Sequence, residues 1–255
     1  MDELRNLPLR GANNIRDLSS VSSLIRPGKL LRGDHLHALT ERDVHLLTAS
    51  YDLTNIVDLR TTQERDEKPD VDIPGVRSFH LPIFDESTAG ITRESDSSAA
   101  SLSDRIPDMT ELYQTMVSPS CQKSLSAVLS KIISLAQKPG AVLYHCTAGK
   151  DRTGIVSFLL LSLMGVPEKI ILDDYLFTNL SAEKQAKKYY WLVRLFKRDR
   201  KAAEQLYRVF TAEEAYLTGA KSKILDTSPD ILTFVSAFLE IPPSEIDAFR
   251  NAVLL

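Results

Sequence analysis

Apolar residues along this chain fall into short continuous runs and into longer runs spaced three and four apart, and the two rhythms alternate. Leu30-Leu31 behind Pro27-Gly28, Asn55 to Leu59, Val76 to Leu81 before Pro82, and Ala141 to Tyr144 after Pro139-Gly140 are short and bounded by turn residues or charge, as buried strands are. Thr40 is predicted to cap a helix through Ala49, with Asp43 at the capping-box position and Leu46 and Leu47 on its apolar face. Thr61 to Arg65 start another helix, which Pro69 ends. Ser118-Pro119 open a third, whose Leu125, Val128, Leu129, Ile132, Ile133 and Ala136 recur at helical spacing. Ile155 to Met164 is too long and too leucine-rich for a strand, and Glu168 to Thr178 reads as a core helix. Ser181 is expected to cap a long helix, and residues 229–255 to form two amphipathic helices separated by Pro242-Pro243, with Ser244 as the second cap.

Two stretches depart from this alternation. Residues 85–103, entered through Ile83-Phe84-Asp85, are mostly Ser, Asp, Thr, Ala and Glu and read as a mobile loop. The helix after Ser181 carries Tyr189, Tyr190, Trp191, Val193, Leu195 and Phe196 interleaved with eight cations from Lys184 to Lys201, opposed only by Glu183 and Asp199. Such a helix is either a solvated basic face packed by its aromatics or a peripheral membrane contact through residues 184–201.

The candidate chemistry sits where the strand at Ala141–Tyr144 turns into the helix after it: His145-Cys146-Thr147-Ala148-Gly149-Lys150-Asp151-Arg152-Thr153-Gly154. A helix starting near Asp151 leaves its first amides unpaired and its positive dipole end facing the loop, which attracts anions. Such a field, with neighbouring cations, favours the thiolate, the nucleophilic form of cysteine. Five residues separate Cys146 from Arg152, enough for a loop that wraps a tetrahedral dianion. The sulfur would face phosphorus while the guanidinium grips two oxygens. Thr147, Ala148, Gly149, Lys150 and Thr153 are therefore candidate substrate-binding residues. Gly149 supplies conformational freedom, Lys150 a cation at the rim, and Thr153 a hydroxyl for the sulfur. His145 is expected to orient the loop by hydrogen bonding. Asp151 is the candidate general acid, next to the phosphate by construction, with Asp85 on the upstream loop as its rival.

Cys-x5-Arg with this His before it and Thr-Gly after it resembles the protein tyrosine phosphatase superfamily. The full string HCTAGKDRTG is similar to the bacterial atypical tyrosine and lipid phosphatases that carry Lys and Asp inside the loop. Gly11 to Leu18 resembles the family's N-F-R-D-L-G-G opening, with Ser19-Ser20 in place of the glycines, and Asp58-Leu59-Arg60 its D-L-R element. Asp173-Asp174-Tyr175 resembles its D-Y element. The resemblance implies an α/β fold with a mostly parallel central sheet flanked by helices, in one domain over residues 1–255, with a helical lid-like insertion at about 179–227. Asp58 or Arg60 would support the loop from a strand end, or form a surface ion pair. No metal or organic cofactor is implied. A Trp-Pro-Asp acid loop is missing upstream, since the one tryptophan is Trp191.

Composition narrows the field. A net charge of -3 gives no support to nucleic-acid binding, and 43% hydrophobic residues can fill a sizeable core. Five scattered His and two Cys offer no zinc-ligand spacing, and Cys121 and Cys146 do not make a disulfide framework, a back-up disulfide between them being the minor alternative to two packed thiols. The N-terminus is charged with no apolar run behind it, so a cytoplasmic protein is expected, with export after leader removal as the alternative. These readings converge on a metal-independent, cysteine-dependent phosphomonoester hydrolase. It would act on a phosphorylated protein, or also on a phosphoinositide, through a phosphocysteine. The rivals are a catalytically dead phosphate reader and a thiol redox or sulfur-transfer protein.

Overall fold

The computed structural model describes residues 5–84 and 108–255; the expected mobile loop at 85–103, with Asp85, lies outside the described residues. A five-stranded sheet has the order β1-β2-β5-β3-β4, made from β1 (Arg16–Asp17), β2 (Leu30–Gly33), β3 (Leu53–Asp58), β4 (Arg77–His80) and β5 (Ala141–His145). Only β1 runs antiparallel, against β2. The two-residue β1 carries too little apolar pattern to be read from sequence, and it exists because Arg16 and Asp17 pair with Arg32 and Leu31. Registers bring Gly33, Asp58 and His80 level with His145 at the C-terminal edge of the sheet, where open α/β folds bind ligands.

The central strand β5 is buried along its whole length. Val142 and Tyr144 join the larger core, built with α3 (Met109–Met116), α4 (Gln122–Ala136) and α5 (Asp151–Leu163). Leu143 joins a smaller core with Leu47 of α1 (Glu41–Tyr51). The residues of α4 picked out by their spacing are all buried, and Leu135 is buried with them. In α1 the capping box of Thr40 and Asp43 forms as expected. Burial alone would push the Asp43 carboxyl up, but bonds from the Thr40, Arg10 and Gly11 amides outweigh it and hold it at about 2. A second box joins Thr61 and Glu64 at the start of α2 (Thr62–Glu67).

Beyond β5, α6 (Glu168–Phe177) runs almost directly into α7 (Asn179–Phe196), followed by α8 (Arg200–Phe210), α9 (Glu214–Leu225) and α10 (Pro243–Val253). Two expected caps are corrected. Helix α7 already starts at Asn179, so the Ser181 hydroxyl donates to the Asn13 carbonyl instead, and α10 opens on Pro243 without a side-chain cap at Ser244. Within residues 179–227 the helices pack differently. Helix α9 buries Tyr216, Leu217, Ala220 and Ile224 in the larger core, whereas α7 and α8 bury only small residues and pack on each other as a hairpin. That hairpin is held by Tyr189 stacked on Phe210 at 5.0 Å and Tyr190 edge-on to Tyr207 at 6.3 Å, with Ala186, Ala202 and Ala203 as its buried small residues.

Candidate active site

The loop from Cys146 to Lys150 joins β5 to α5, and its carbonyls are bound from outside. Asn14 Nδ2 donates to the carbonyls of Ala148 at 3.0 Å and Gly149 at 3.3 Å. Arg32 Nη2 donates to Gly149 O at 3.0 Å, and the His35 amide to Thr147 O at 3.3 Å. With the carbonyls turned outward, the peptide planes aim their amides inward. The amides from Thr147 to Arg152 donate to no backbone carbonyl among the described residues. Gly149 has φ +65°, and a Cβ there would stand 2.6 Å from the Gly33 carbonyl carbon, so both its conformation and its contact with β2 exclude a side chain. Gly154 packs against the Tyr175 ring. Cys146 is buried at the base of this cradle and is not joined to Cys121 in a disulfide.

Arg152, in the first turn of α5, is held in a two-point grip by a residue that no sequence signal marked as functional. Nη1 donates to Glu64 Oε2 at 2.6 Å and Nη2 to Oε1 at 2.9 Å, and the Thr147 hydroxyl donates to Oε1 at 2.7 Å. Burial would push the Glu64 carboxyl up, but Arg152, Thr147 and the Thr61 amide hold it at about 2. The Arg152 guanidinium is in turn raised, against its burial, by Glu64 and by the charge of Cys146. The signal available in sequence was the S/T-x-x-E pattern at Thr61, which explains the helix cap but not the second partner.

Asp151 accepts a hydrogen bond from the Tyr113 hydroxyl on Oδ1 at 2.7 Å, and Lys150 Nζ lies 3.2 Å from the same oxygen. Tyr113 and Tyr175 hydroxyls are 2.7 Å apart; burial first, then the Asp151 charge, raises both phenols well above their ordinary range. Among the described residues Asp151 Oδ2 has no hydrogen-bond partner. The expectation of a rim cation at Lys150 is corrected. Its side chain is 1% exposed and its Nζ donates to the carbonyls of Val209 and Thr211, at the base of the helical hairpin. The Thr153 hydroxyl, expected at the sulfur, donates to the Gly33 carbonyl at 3.4 Å.

Beneath the loop lies a buried ionic cluster that joins three distant segments. Arg16 Nε meets Asp174 Oδ1 at 2.7 Å and Arg32 Nη1 meets Oδ2 at 2.5 Å, all three side chains being fully buried. Burial and the neighbouring Arg32 lower Arg16 to about 10; Asp174, pushed up by burial, is pulled lower by the two guanidinium groups. Two cations against one anion leave positive charge under an anion cradle. His145 Nε2 lies 3.1 Å from Asp70, and Arg60 bridges the carboxylates of Asp58 and Asp70, each at 2.8 Å. Asp58 and Arg60 therefore form a buried pair at the end of β3, not a surface one. Asp58, Asp70 and His145 come within metal-ligand distance of one another, but Arg60 already supplies the charge a cation would bring. Asp85 lies outside the described residues.

A mostly parallel sheet carrying a cysteine-arginine anion cradle at its C-terminal edge is the arrangement of a phosphatase of the α/β class. The chain belongs to the tyrosine phosphatase family, whose model matches residues 7–255, and it is a phosphatase hydrolase. It is 29% identical over 197 residues to the triple specificity protein phosphatase PtpB of Mycobacterium tuberculosis, covering 69% of each chain. It is 34% identical over 158 residues to a tyrosine-protein phosphatase of Nostoc commune, covering 62% of this chain and 50% of that one. A putative tyrosine-protein phosphatase of Cupriavidus necator is 29% identical over 174 residues, covering 66% of this chain and 60% of that one. Among solved structures, TpbA of P. aeruginosa bound to phosphotyrosine aligns over 88% of this chain and 85% of its own at 15% identity, with a TM-score of 0.32.

Proposed function

We propose that this phosphatase works through a phosphocysteine at Cys146, with phosphotyrosine in protein as its first substrate. The observation that carries the reading is the inward set of loop amides between Cys146 and the braced Arg152. Cys146 Sγ attacks phosphorus in line and the bond from phosphorus to the leaving oxygen breaks. The spread charge is met by the amides and Arg152. Asp151 gives its Oδ2 proton to the departing oxygen. Water then attacks the phosphocysteine, Asp151 takes back a proton, the phosphorus–sulfur bond breaks, and inorganic phosphate leaves with the thiolate restored. Phosphomonoester hydrolysis is among the slowest uncatalysed reactions, so positioning and charge must supply most of the rate.

A relative described as a triple specificity phosphatase supports a site open to further phosphoesters, of which phosphoserine and phosphoinositide monoesters are the two to test. Turnover of p-nitrophenyl phosphate by the full chain without added metal, blocked by vanadate and abolished in Cys146→Ser, is the expected result. Activity of Cys146→Ser above a few per cent of the parent would remove the nucleophile assignment. Binding of phosphate without turnover in the parent would leave the phosphate reader, and thiosulfate-dependent turnover the sulfur-transfer protein.

A further inference from the structure

The α7–α8 hairpin is the part of the molecule that the phosphatase reading leaves unexplained. Its base is tied down: Lys150 holds Val209 and Thr211, Asn179 exchanges hydrogen bonds with Ala212, and Ser181 donates to Asn13. Its far end is not. By length the 18-residue α7 spans about 27 Å and the 11-residue α8 about 17 Å, so the turn at Lys197 to Asp199 stands about 17 Å or more from the Val209 and Thr211 contacts.

At this end the exposed surface is unlike that of a solvated helix. Trp191, Leu195 and Phe196 are 57%, 66% and 78% exposed, and Leu192 is exposed beside them. Single exposed leucines are ordinary. Four large apolar side chains within six residues, paired at i,i+4 spacing on one side of the last turns of α7, are not. The residues around them are cationic: Arg194, Lys197, Arg198, Arg200 and Lys201 are all exposed, and only Asp199 opposes them between residues 194 and 201. Over residues 179–210 there are nine Lys and Arg against three Asp and Glu, in a chain whose totals are 31 against 34. Positive charge is thus concentrated on the element with the most exposed apolar side chains.

We infer that the tip of this hairpin docks on an anionic lipid bilayer, Trp191, Leu195 and Phe196 entering the interface while the surrounding Lys and Arg meet lipid phosphates. An interfacial element needs this combination of apolar area and cations. Long basic side chains can keep their heads at the headgroup level while the apolar residues go deeper. No described helix is long and apolar enough to cross a membrane, so this contact would be peripheral. It goes beyond the phosphatase reading and does not depend on it, because it concerns a surface at the far end of the hairpin from Cys146.

The chain carries its own probe, since Trp191 is the one tryptophan. The full-length protein is mixed with vesicles of phosphatidylcholine, with or without phosphatidylserine, and followed by tryptophan emission and co-sedimentation. A blue shift and pelleting with the phosphatidylserine vesicles alone, weakened by salt, is the expected result. Leu195→Ser with Phe196→Ser should lower partitioning about tenfold or more, and each of Lys197→Gln and Arg198→Gln about fivefold, with turnover of soluble p-nitrophenyl phosphate and the circular dichroism unchanged. Unshifted emission with no pelleting would overturn the inference, as would equal binding to neutral vesicles. A concentration-dependent dimer that the Leu195→Ser, Phe196→Ser pair dissolves, with no vesicle binding, would assign the face to a second copy of the chain.

Discussion

Glu64 and Arg152 are 88 residues apart in sequence, yet the Glu64 carboxylate spans both terminal nitrogens of the guanidinium, at 2.6 and 2.9 Å. A guanidinium has three edges. With the outer one taken, the edge that includes Nε is the one left, among the described residues, for a second two-point grip. Glu64 is therefore a positioning residue for Arg152, although it would compete with phosphate if it were free to move.

Glu64→Gln should lower kcat/KM for p-nitrophenyl phosphate about ten- to a hundredfold, the range expected from weakening hydrogen bonds to a charged group worth ~1.5–3 kcal/mol. Arg152→Lys should be at least as damaging, because one ammonium cannot make a planar two-point grip. A lower KM with unchanged kcat in Glu64→Gln would instead show that the carboxylate competes with substrate.

The same pair has a pH signature. Glu64 is held at about 2 when folded, below its ordinary value, so its contribution to stability is fully present above the unfolded pKa of ~4.3 and is lost as pH falls through about 2. Asp43, also at about 2, acts in the same direction. Acid unfolding followed by circular dichroism should accordingly show a shallower loss of stability over that window in Glu64→Gln than in the parent.

Asp151→Asn should slow alkyl phosphates far more than p-nitrophenyl phosphate, whose leaving group needs little protonation. Tyr113→Phe removes the hydroxyl that aims Asp151 and should reproduce the alkyl-selective loss in milder form, with kcat falling more than KM rises. A loss of equal size on alkyl and aryl substrates in both variants would show that neither side chain delivers or aims the proton.

Lys150→Met keeps most of the side-chain volume but leaves the Val209 and Thr211 carbonyls without their buried donor. Thermal unfolding should show a loss of about 1–3 kcal/mol, and hydrogen exchange over residues 179–210 should quicken. Phosphoinositide and p-nitrophenyl phosphate turnover should fall together, because Lys150 does not face the cradle.

Asp174→Asn strips the one carboxylate from two buried guanidinium groups, a change that ordinarily costs about 3–5 kcal/mol. Urea unfolding should place this variant well below the parent. Asp173→Asn, one position away but outside the cluster, is the control and should unfold like the parent.

Local chemistry was legible in the residues alone. The four longer strands as extended segments, the helix cap at Thr40, the helix start at Thr61, the buried face of α4 and the cysteine-to-arginine loop all depend on neighbours within a few residues. Short-range spacing, turn residues and a helix N-terminus determine such features. What only the tertiary structure decided is which distant groups serve the loop. Glu64 reads locally as the second half of a capping box, and its hold on Arg152 exists because β3 and β5 end side by side. Lys150 reads as a rim cation until the end of α8 brings two carbonyls over it. Arg16, Arg32 and Asp174 come from three separate segments, and nothing in their own surroundings says that they meet. A buried charge must find partners wherever the chain's packing puts them, and that choice is made by the whole fold, not by any stretch of sequence.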